Sequence, residues 1–146
     1  MGYLASAVPL LLEALLQQGR DEEALRLTER WRPERLTVPE DVDAQVGWRR
    51  VRAKLLARNA EVEEAERLAH EAMTLVTSTD DLNLRAQTAA DLAEVLRIAD
   101  RPKAAAAAYE QAIRLFEKKG NIVAARRLHS LLAEPPLEVS EPPPRH

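Results

Sequence analysis

The stretch that decides the fold lies at residues 81–120, which read DLNLRAQTAADLAEVLRIADRPKAAAAAYEQAIRLFEKKG. Alanine and leucine, which a helix penalises least, dominate this stretch. Pro102 stands where a helix tolerates proline, in its first turn, and Gly120 stands where a helix commonly ends. The pattern predicts one helix over about 82–99 and a second over about 102–119. The stretch therefore reads as a helical hairpin.

The same hairpin recurs upstream with a period of 40 residues. Asp41, Asp81 and Asn121 are spaced by 40 residues, and each can cap the helix that follows it. Small and large apolar positions repeat as well, with one extra residue between the first unit and the second. These equivalent positions are Ala24, Ala65 and Ala105, and Leu15, Leu56 and Leu96. A fixed period of this length indicates stacked supersecondary units.

The organisation that follows is all-α, with about seven helices in antiparallel hairpins. The predicted units cover about 4–32, 41–77 and 81–119, a closing helix covers 121–134, and together they form one repeat domain over 1–134. Residues 135–146 are rich in proline, which removes helical hydrogen-bond donors and clashes with the preceding turn. We therefore expect a disordered tail there.

The third unit places Ala93, Leu96, Ala105, Tyr109 and Ala112 in a pattern of small and large residues around a turn. This pattern resembles that of the tetratricopeptide (TPR) family. The resemblance implies a right-handed stack of helical hairpins that binds a protein or peptide through a concave groove. Two departures stand out: the period is longer than the usual ~34 residues, and the usual first-helix tryptophan is missing.

A narrower resemblance involves three segments of the repeat domain. Residues 41–54, 91–97 and 119–125 look like parts of the C-terminal TPR region of large actinobacterial signalling proteins, in which cyclase and AAA-type ATPase domains precede the repeats. The resemblance implies a regulatory or scaffolding role. It implies no cyclase activity for this chain.

Composition and motifs narrow the function further. The chain has 21 Lys plus Arg against 24 Asp plus Glu, a net charge of −3, which disfavours a general nucleic-acid binder. It has no cysteine, and no apolar run approaches the ~18 residues of a membrane span. No catalytic triad, metal-ligand spacing or phosphate loop is present. We expect a cytoplasmic protein that is not an enzyme and that uses no cofactor or metal.

The candidate partner-binding residues lie mainly on the third helix. Arg50, Lys54 and Arg58 follow one another at intervals of four and form one cationic stripe. By the TPR resemblance these positions face the groove, as do Glu94 and Arg97 on the fifth helix. The stripe predicts an acidic peptide or carboxylate as the partner.

An alternative interpretation pairs these cations within the chain. The helix that follows is rich in glutamate, and Glu13, Lys54, Glu94 and Glu134 occupy one repeat position. That alternation predicts a ladder across the groove in which Lys54 lies between two carboxylates.

A second functional hypothesis is self-association. The first helix is apolar on more than one face, and such a helix requires burial, for example in a homodimer. Four of the aromatic residues are expected instead in the seams between repeats. They are Trp31, Trp48, Tyr109 and Phe116.

Overall fold

The computed structural model describes the backbone of residues 2–32 and 42–133, and the side chains of those ranges from residue 10 onward. This part contains seven α-helices and no strand, as the sequence predicts. The helices are α1 (Gly2–Gln17), α2 (Asp21–Arg30), α3 (Val42–Arg58), α4 (Val62–Val76), α5 (Leu82–Ile98), α6 (Pro102–Lys119) and α7 (Ile122–Ala133). The predicted tail at 135–146 and the proposed cap at Asp41 lie outside the described residues.

The turn inside each hairpin has the same backbone conformation. Gly19, Ala60 and Asp100 adopt positive φ angles of 72°, 66° and 61°. In each case the residue that follows donates its N–H to the carbonyl five residues earlier. These bonds are Arg20 to Leu15 at 2.9 Å, Glu61 to Leu56 at 2.8 Å and Arg101 to Leu96 at 2.9 Å. The three turns are therefore structural equivalents spaced by 41 and 40 residues, which is the spacing of the sequence repeat.

Local signals fix the ends of the helices in the second half of the chain. Asp81 Oδ1 accepts a hydrogen bond from the Leu84 N–H at 3.0 Å, and Asn121 Oδ1 accepts one from the Ala124 N–H at 3.2 Å. Gly120 adopts a φ of 89°, a left-handed conformation that costs glycine little and that ends α6. The predicted caps at Asp81 and Asn121 are confirmed.

Small residues allow the helices to approach closely. Ala24, Ala65 and Ala105, the equivalents in the three second helices, are all buried. The main core lies between α3 and α7 and includes the predicted seam residues Trp48, Tyr109 and Phe116. A smaller cluster joins α1 and α2 to α3, and Trp31 packs half-buried against its edge.

A buried polar cluster joins α2 to α3. Trp48 Nε1 donates to the Thr28 carbonyl at 2.9 Å, and Arg52 Nη1 donates to Thr28 Oγ1 at 2.8 Å. The Arg52 guanidinium also pairs with Glu29 and lies 5.6 Å from the centre of the Trp48 ring. Hydrogen bonds and cation–π attraction thus supplement apolar packing at this junction.

The charge of Glu29 makes this junction sensitive to acid. Hydrogen bonds from Arg52 and Arg32 hold the pKa of Glu29 below its ordinary value of 4.5. A lowered folded-state pKa means that Glu29 stabilises the fold above pH 4.5 and loses this effect as the pH falls through the folded-state pKa. We expect Glu29→Gln to lower the melting temperature at neutral pH, with the difference from the wild type vanishing in strong acid.

Thermal melts monitored by circular dichroism across this pH range check the prediction. Glu22→Gln is the matched control, because Glu22 is exposed on the same helix and forms no ion pair with another described residue. A Glu29→Gln difference that persisted unchanged at low pH would contradict the role assigned to the Glu29 charge.

Candidate interaction groove

An open groove of about 950 Å³ runs across the first helices of the hairpins. Its lining comes mainly from α1, α3, α5 and α7, because these helices share one face of the stack. Tyr109 and Phe116 of α6 reach it from between the helices. The other lining residues are Leu10, Glu13, Leu16, Gln17, Asp43, Gly47, Arg50, Lys54, Arg58, Leu84, Gln87, Ala90, Asp91, Glu94, Asn121, Val123, Ala124, Arg127, Leu128 and Leu131.

The lining is balanced in charge. It contains four cationic side chains and four carboxylates, which are Arg50, Lys54, Arg58 and Arg127, and Glu13, Asp43, Asp91 and Glu94. The charges of the lining therefore cancel, and the groove has no net positive charge.

Arg50 forms the centre of the pattern. Its Nη2 lies 3.2 Å from Glu13 Oε1 of α1, and its Nε lies 2.6 Å from Asp91 Oδ2 of α5. Lys54 Nζ lies 3.1 Å from the other Asp91 oxygen. These ion pairs tie three consecutive first helices together. The Arg50, Lys54 and Asp91 side chains are nearly buried.

The predicted ladder is wrong in its partners. In the part of the chain that the structure describes, Lys54 pairs with Asp91 and not with Glu13 or Glu94. Arg50, one helical turn earlier, makes the connection to Glu13. The reason is the length of these side chains. A long cationic side chain can contact a carboxylate that lies one helical turn away from its equivalent position in the neighbouring repeat.

Arg58 makes a second bridge at the other end of α3. Its guanidinium lies 3.4 Å from Asp21 Oδ2 of α2 and 3.1 Å from Glu94 Oε2 of α5. Burial lowers the pKa of Arg58, but the carboxylates of Glu94 and Asp21 outweigh burial and raise it. Arg58 therefore stays charged. It is the most exposed of the three cations in the predicted stripe.

Arg97 differs from the other predicted site residues in one respect. It does not line the groove, whereas Arg50, Lys54, Arg58 and Glu94 do. Burial raises the pKa of the Tyr109 hydroxyl, and a hydrogen bond with Arg97 opposes that increase. Arg97 therefore lies beside Tyr109, which lines the groove.

Sequence reasoning missed Asp91 and Arg127. Asp91 occupies a repeat position where the other units have Leu10, Val51 and Leu131. A carboxylate at an otherwise apolar repeat position was the signal that could have identified it. Arg127 follows Gly47 and Gln87 at intervals of 40, and all three line the groove. Arg127 is exposed and forms no ion pair with another described residue.

The two outer helices of the groove, α1 and α7, contribute most of its large apolar side chains, together with Glu13 and Arg127. Leu10 of α1 and Val123 of α7 line it and are exposed to solvent, while Leu128, Leu131 and Phe116 form its wall near α7. Apolar and charged side chains along one groove suit an extended ligand that also carries both kinds of side chain.

Within residues 2–32 and 42–133, no group of three or more His, Asp or Glu side chains is arranged to hold a metal ion. None of the described helices is both long enough and apolar enough to cross a membrane.

Comparison with known families identifies the repeat. The tetratricopeptide repeat pattern matches residues 46–118, which is half of the chain and runs from α3 to the end of α6. The chain belongs to the tetratricopeptide repeat family. No curated protein and no solved structure matched it in the same comparisons.

Family membership indicates the general function of this kind of repeat. TPR repeats mediate protein–protein interaction and are typically non-catalytic modules. The two matched hairpins, α3–α4 and α5–α6, contribute the central ion pairs of the groove from their first helices. The α1–α2 hairpin and α7 extend the same surface beyond the matched region.

Proposed function

We propose that this TPR chain is a non-catalytic scaffold that holds a peptide or an extended partner segment in its concave groove. The observation that carries the proposal is the open 950 Å³ groove across four first helices, with both apolar and charged side chains in its lining. A bound segment would place apolar side chains against Leu10 or Val123 and polar groups near the ion pairs.

An acidic group is the partner chemistry that we propose for the part of the groove near Arg58 and Arg127, whereas the carboxylate of Asp43, which pairs with no side chain in the described ranges, would receive a cationic group. Arg127 has no ion pair among the described residues, and Arg58 keeps part of its guanidinium in water. Arg50 and Lys54 are already neutralised by Asp91 and Glu13, so their role in binding is to shape the groove floor. Glu94 orients Arg58, and Arg97 supports the wall at Tyr109.

Selection from a displayed random-peptide library tests the proposal without a known partner. We expect the selected peptides to bind at least tenfold more weakly to Arg58→Glu and Arg127→Glu, because each change reverses a charge that faces the ligand. Arg67→Glu is the matched control. Arg67 is an exposed arginine of α4 that also bridges two carboxylates, Glu64 and Glu71, but it does not line the groove.

Thermal melts of the three variants establish that each is folded at the temperature of the binding assay. Peptides that bind the groove variants as tightly as the wild type would contradict the groove function. So would an equal loss of binding in the Arg67→Glu control.

A second function, self-association, has a specific observation in its favour. Leu10 and Leu11 of α1 remain exposed although Leu12 and Leu15 of the same helix are buried. A homodimer would cover them, and light scattering on a sizing column measures the mass directly.

The proposal extends to a regulatory part of a larger signalling protein. This extension rests on the likeness of residues 91–97 and 119–125 to the TPR region of actinobacterial cyclase and AAA-ATPase proteins. In such a protein the groove would receive a segment of a neighbouring domain or of a separate partner.

A further inference from the structure

One face of α7 is exposed although the equivalent face of α3 and α5 is covered by a second helix. Arg126 is exposed, whereas its equivalents Val46 and Ala86 have no exposed surface. Val46 belongs to a cluster that includes Val76 of the second helix α4. Within residues 2–32 and 42–133, no second helix follows α7. The exposed residues of this outer face are Ile122, Arg126, His129 and Ala133.

The outer face of α7 and the adjoining end of α6 are cationic. Residues 114–133 contain five cations and one carboxylate, Glu117. The five cations are all exposed, and none forms an ion pair with another described residue. They are Arg114, Lys118, Lys119, Arg126 and Arg127. An arginine at a position that is valine or alanine in the other units disfavours a second apolar helix as the cover and favours a carboxylate.

The segment that follows α7 in the sequence has the opposite charge. Residues 134–144 read EPPLEVSEPPP and carry three carboxylates, with no cation before Arg145. The prolines oppose a helix and favour an extended backbone. In the other hairpins, the segment after a first helix turns back and covers that helix. The tail therefore has both the place in the sequence and the charge to cover the outer face of α7.

The tail is also long enough to do so. Arg126 lies seven residues before Ala133, which is about 10 Å along a helix. Five extended residues from 134 to 138 span about 15 Å, which allows a reversal near Pro135 and brings Glu138 level with Arg126. Three more residues, about 9 Å, bring Glu141 to the turn between α6 and α7, next to Lys118 and Lys119.

We propose that the acidic tail lies back along the outer face of α7, with Glu138 against Arg126 and Glu141 against the end of α6. The extended tail then takes the place of a second helix and keeps other acidic segments off this face. This proposal replaces the expectation of a freely disordered tail. It does not depend on the groove function, because Arg126, Lys118 and Lys119 do not line the groove.

A nitroxide spin label in the tail reports where the tail lies. The chain has no cysteine, so Ser140→Cys provides a single labelling position between Glu138 and Glu141. The label broadens the NMR signals of backbone amides close to it. We expect stronger broadening at residues 118–127 than at 130–133, because the tail leads the label away from Ala133 toward the start of α7. High salt should weaken the broadening at 118–127, since it screens the exposed charges.

Charge reversal tests the ion pair that the proposal names. Arg126→Glu should weaken the broadening at residues 118–127 about two- to fivefold, as loss of an exposed ion pair would. Combining Arg126→Glu with Glu138→Arg restores the pair in swapped form and should restore the broadening. Arg26→Glu is the matched control and should change nothing. Arg26 is an exposed arginine of α2 that likewise forms no ion pair with another described residue.

Three outcomes would overturn the proposal. The first is broadening that is strongest next to Ala133 and that Arg126→Glu leaves unchanged, which would indicate a free tail. The second is broadening of the groove residues of α3 and α5 in place of residues 118–127, which would put the tail in the groove. The third is a charge-swapped variant that melts like the wild type and yet does not regain the broadening.

Discussion

Replacing Trp48 with alanine is expected to cause a large loss in the free energy of unfolding. Trp48 is buried at the junction of α2 with α3, where its indole N–H donates to the Thr28 carbonyl at 2.9 Å. Its ring also supports the nearly buried Arg52 guanidinium. Truncating a buried tryptophan costs about 3–5 kcal/mol. That cost is a large fraction of the ~5–15 kcal/mol by which a domain is stable.

Urea denaturation followed by circular dichroism measures this loss. Trp31→Ala is the control, because Trp31 is only half-buried and should lose clearly less free energy of unfolding. Trp48→Phe keeps most of the apolar volume and loses the N–H, so it isolates the hydrogen bond. A Trp48→Ala loss no larger than that of Trp31→Ala would show that the α2–α3 junction does not hold the first hairpin in place.

Asp91→Asn is expected to have the second largest effect. The substitution keeps the shape of the side chain but removes the charge that faces both Arg50 and Lys54. Breaking a buried ion pair by removing one partner costs about 3–5 kcal/mol, and we expect roughly 2–4 kcal/mol here because these side chains retain some contact with water. The loss should appear in urea denaturation at neutral pH.

Glu64→Gln provides the matched control for this carboxylate. Glu64 pairs with Arg67 on the exposed face of α4, and exposed pairs contribute about 0–1 kcal/mol. If Asp91→Asn cost no more than Glu64→Gln, the central ion pairs of the groove would be ordinary surface pairs, and the groove floor would not depend on them.

The helix boundaries were predictable because the signals that set them are local. The sequence predicted helices over about 82–99 and 102–119, and the structure has Leu82–Ile98 and Pro102–Lys119. Asp81 and Asn121 cap the helix that follows each of them, and a residue at positive φ follows α1, α3 and α5. Each of these signals involves residues that are close together in the sequence, so it can be recognised from a single sequence.

The ion-pair partners were less predictable, because they depend on side-chain reach between helices. The repeat fixes which residues lie at one level of the stack, and it predicts Lys54 between Glu13 and Glu94. The structure pairs it with Asp91, a turn away, because the side chain extends along the groove. Among the described residues, the glutamate-rich α4 contributes one ion pair to α3, from Glu71 to Arg49. Glu63 and Glu64 lie instead on its exposed face.

The position of the groove was predictable from the sequence, whereas its detailed chemistry was less so. Its position follows from the repeat, since the first helices share one face of the stack. Its chemistry depends on residues that depart from the repeat. Asp91 stands where the other units have apolar residues, and Arg127 stands where they have Gly47 and Gln87. Binding specificity is therefore expected to depend on these exceptions and not on the repeated alanines and leucines, which stabilise the fold.

The measurement that tests the central claim most directly is a double-mutant cycle on Arg50 and Asp91. These residues are 41 apart in sequence and meet at 2.6 Å only if α3 and α5 pack side by side as successive first helices. We expect Arg50→Met and Asp91→Asn to be coupled by about 1–3 kcal/mol, whereas Arg50→Met and Glu110→Gln, on separate surfaces, should be additive within ~0.5 kcal/mol. Additive effects of the Arg50 and Asp91 variants would contradict the stacked arrangement and the groove that it forms.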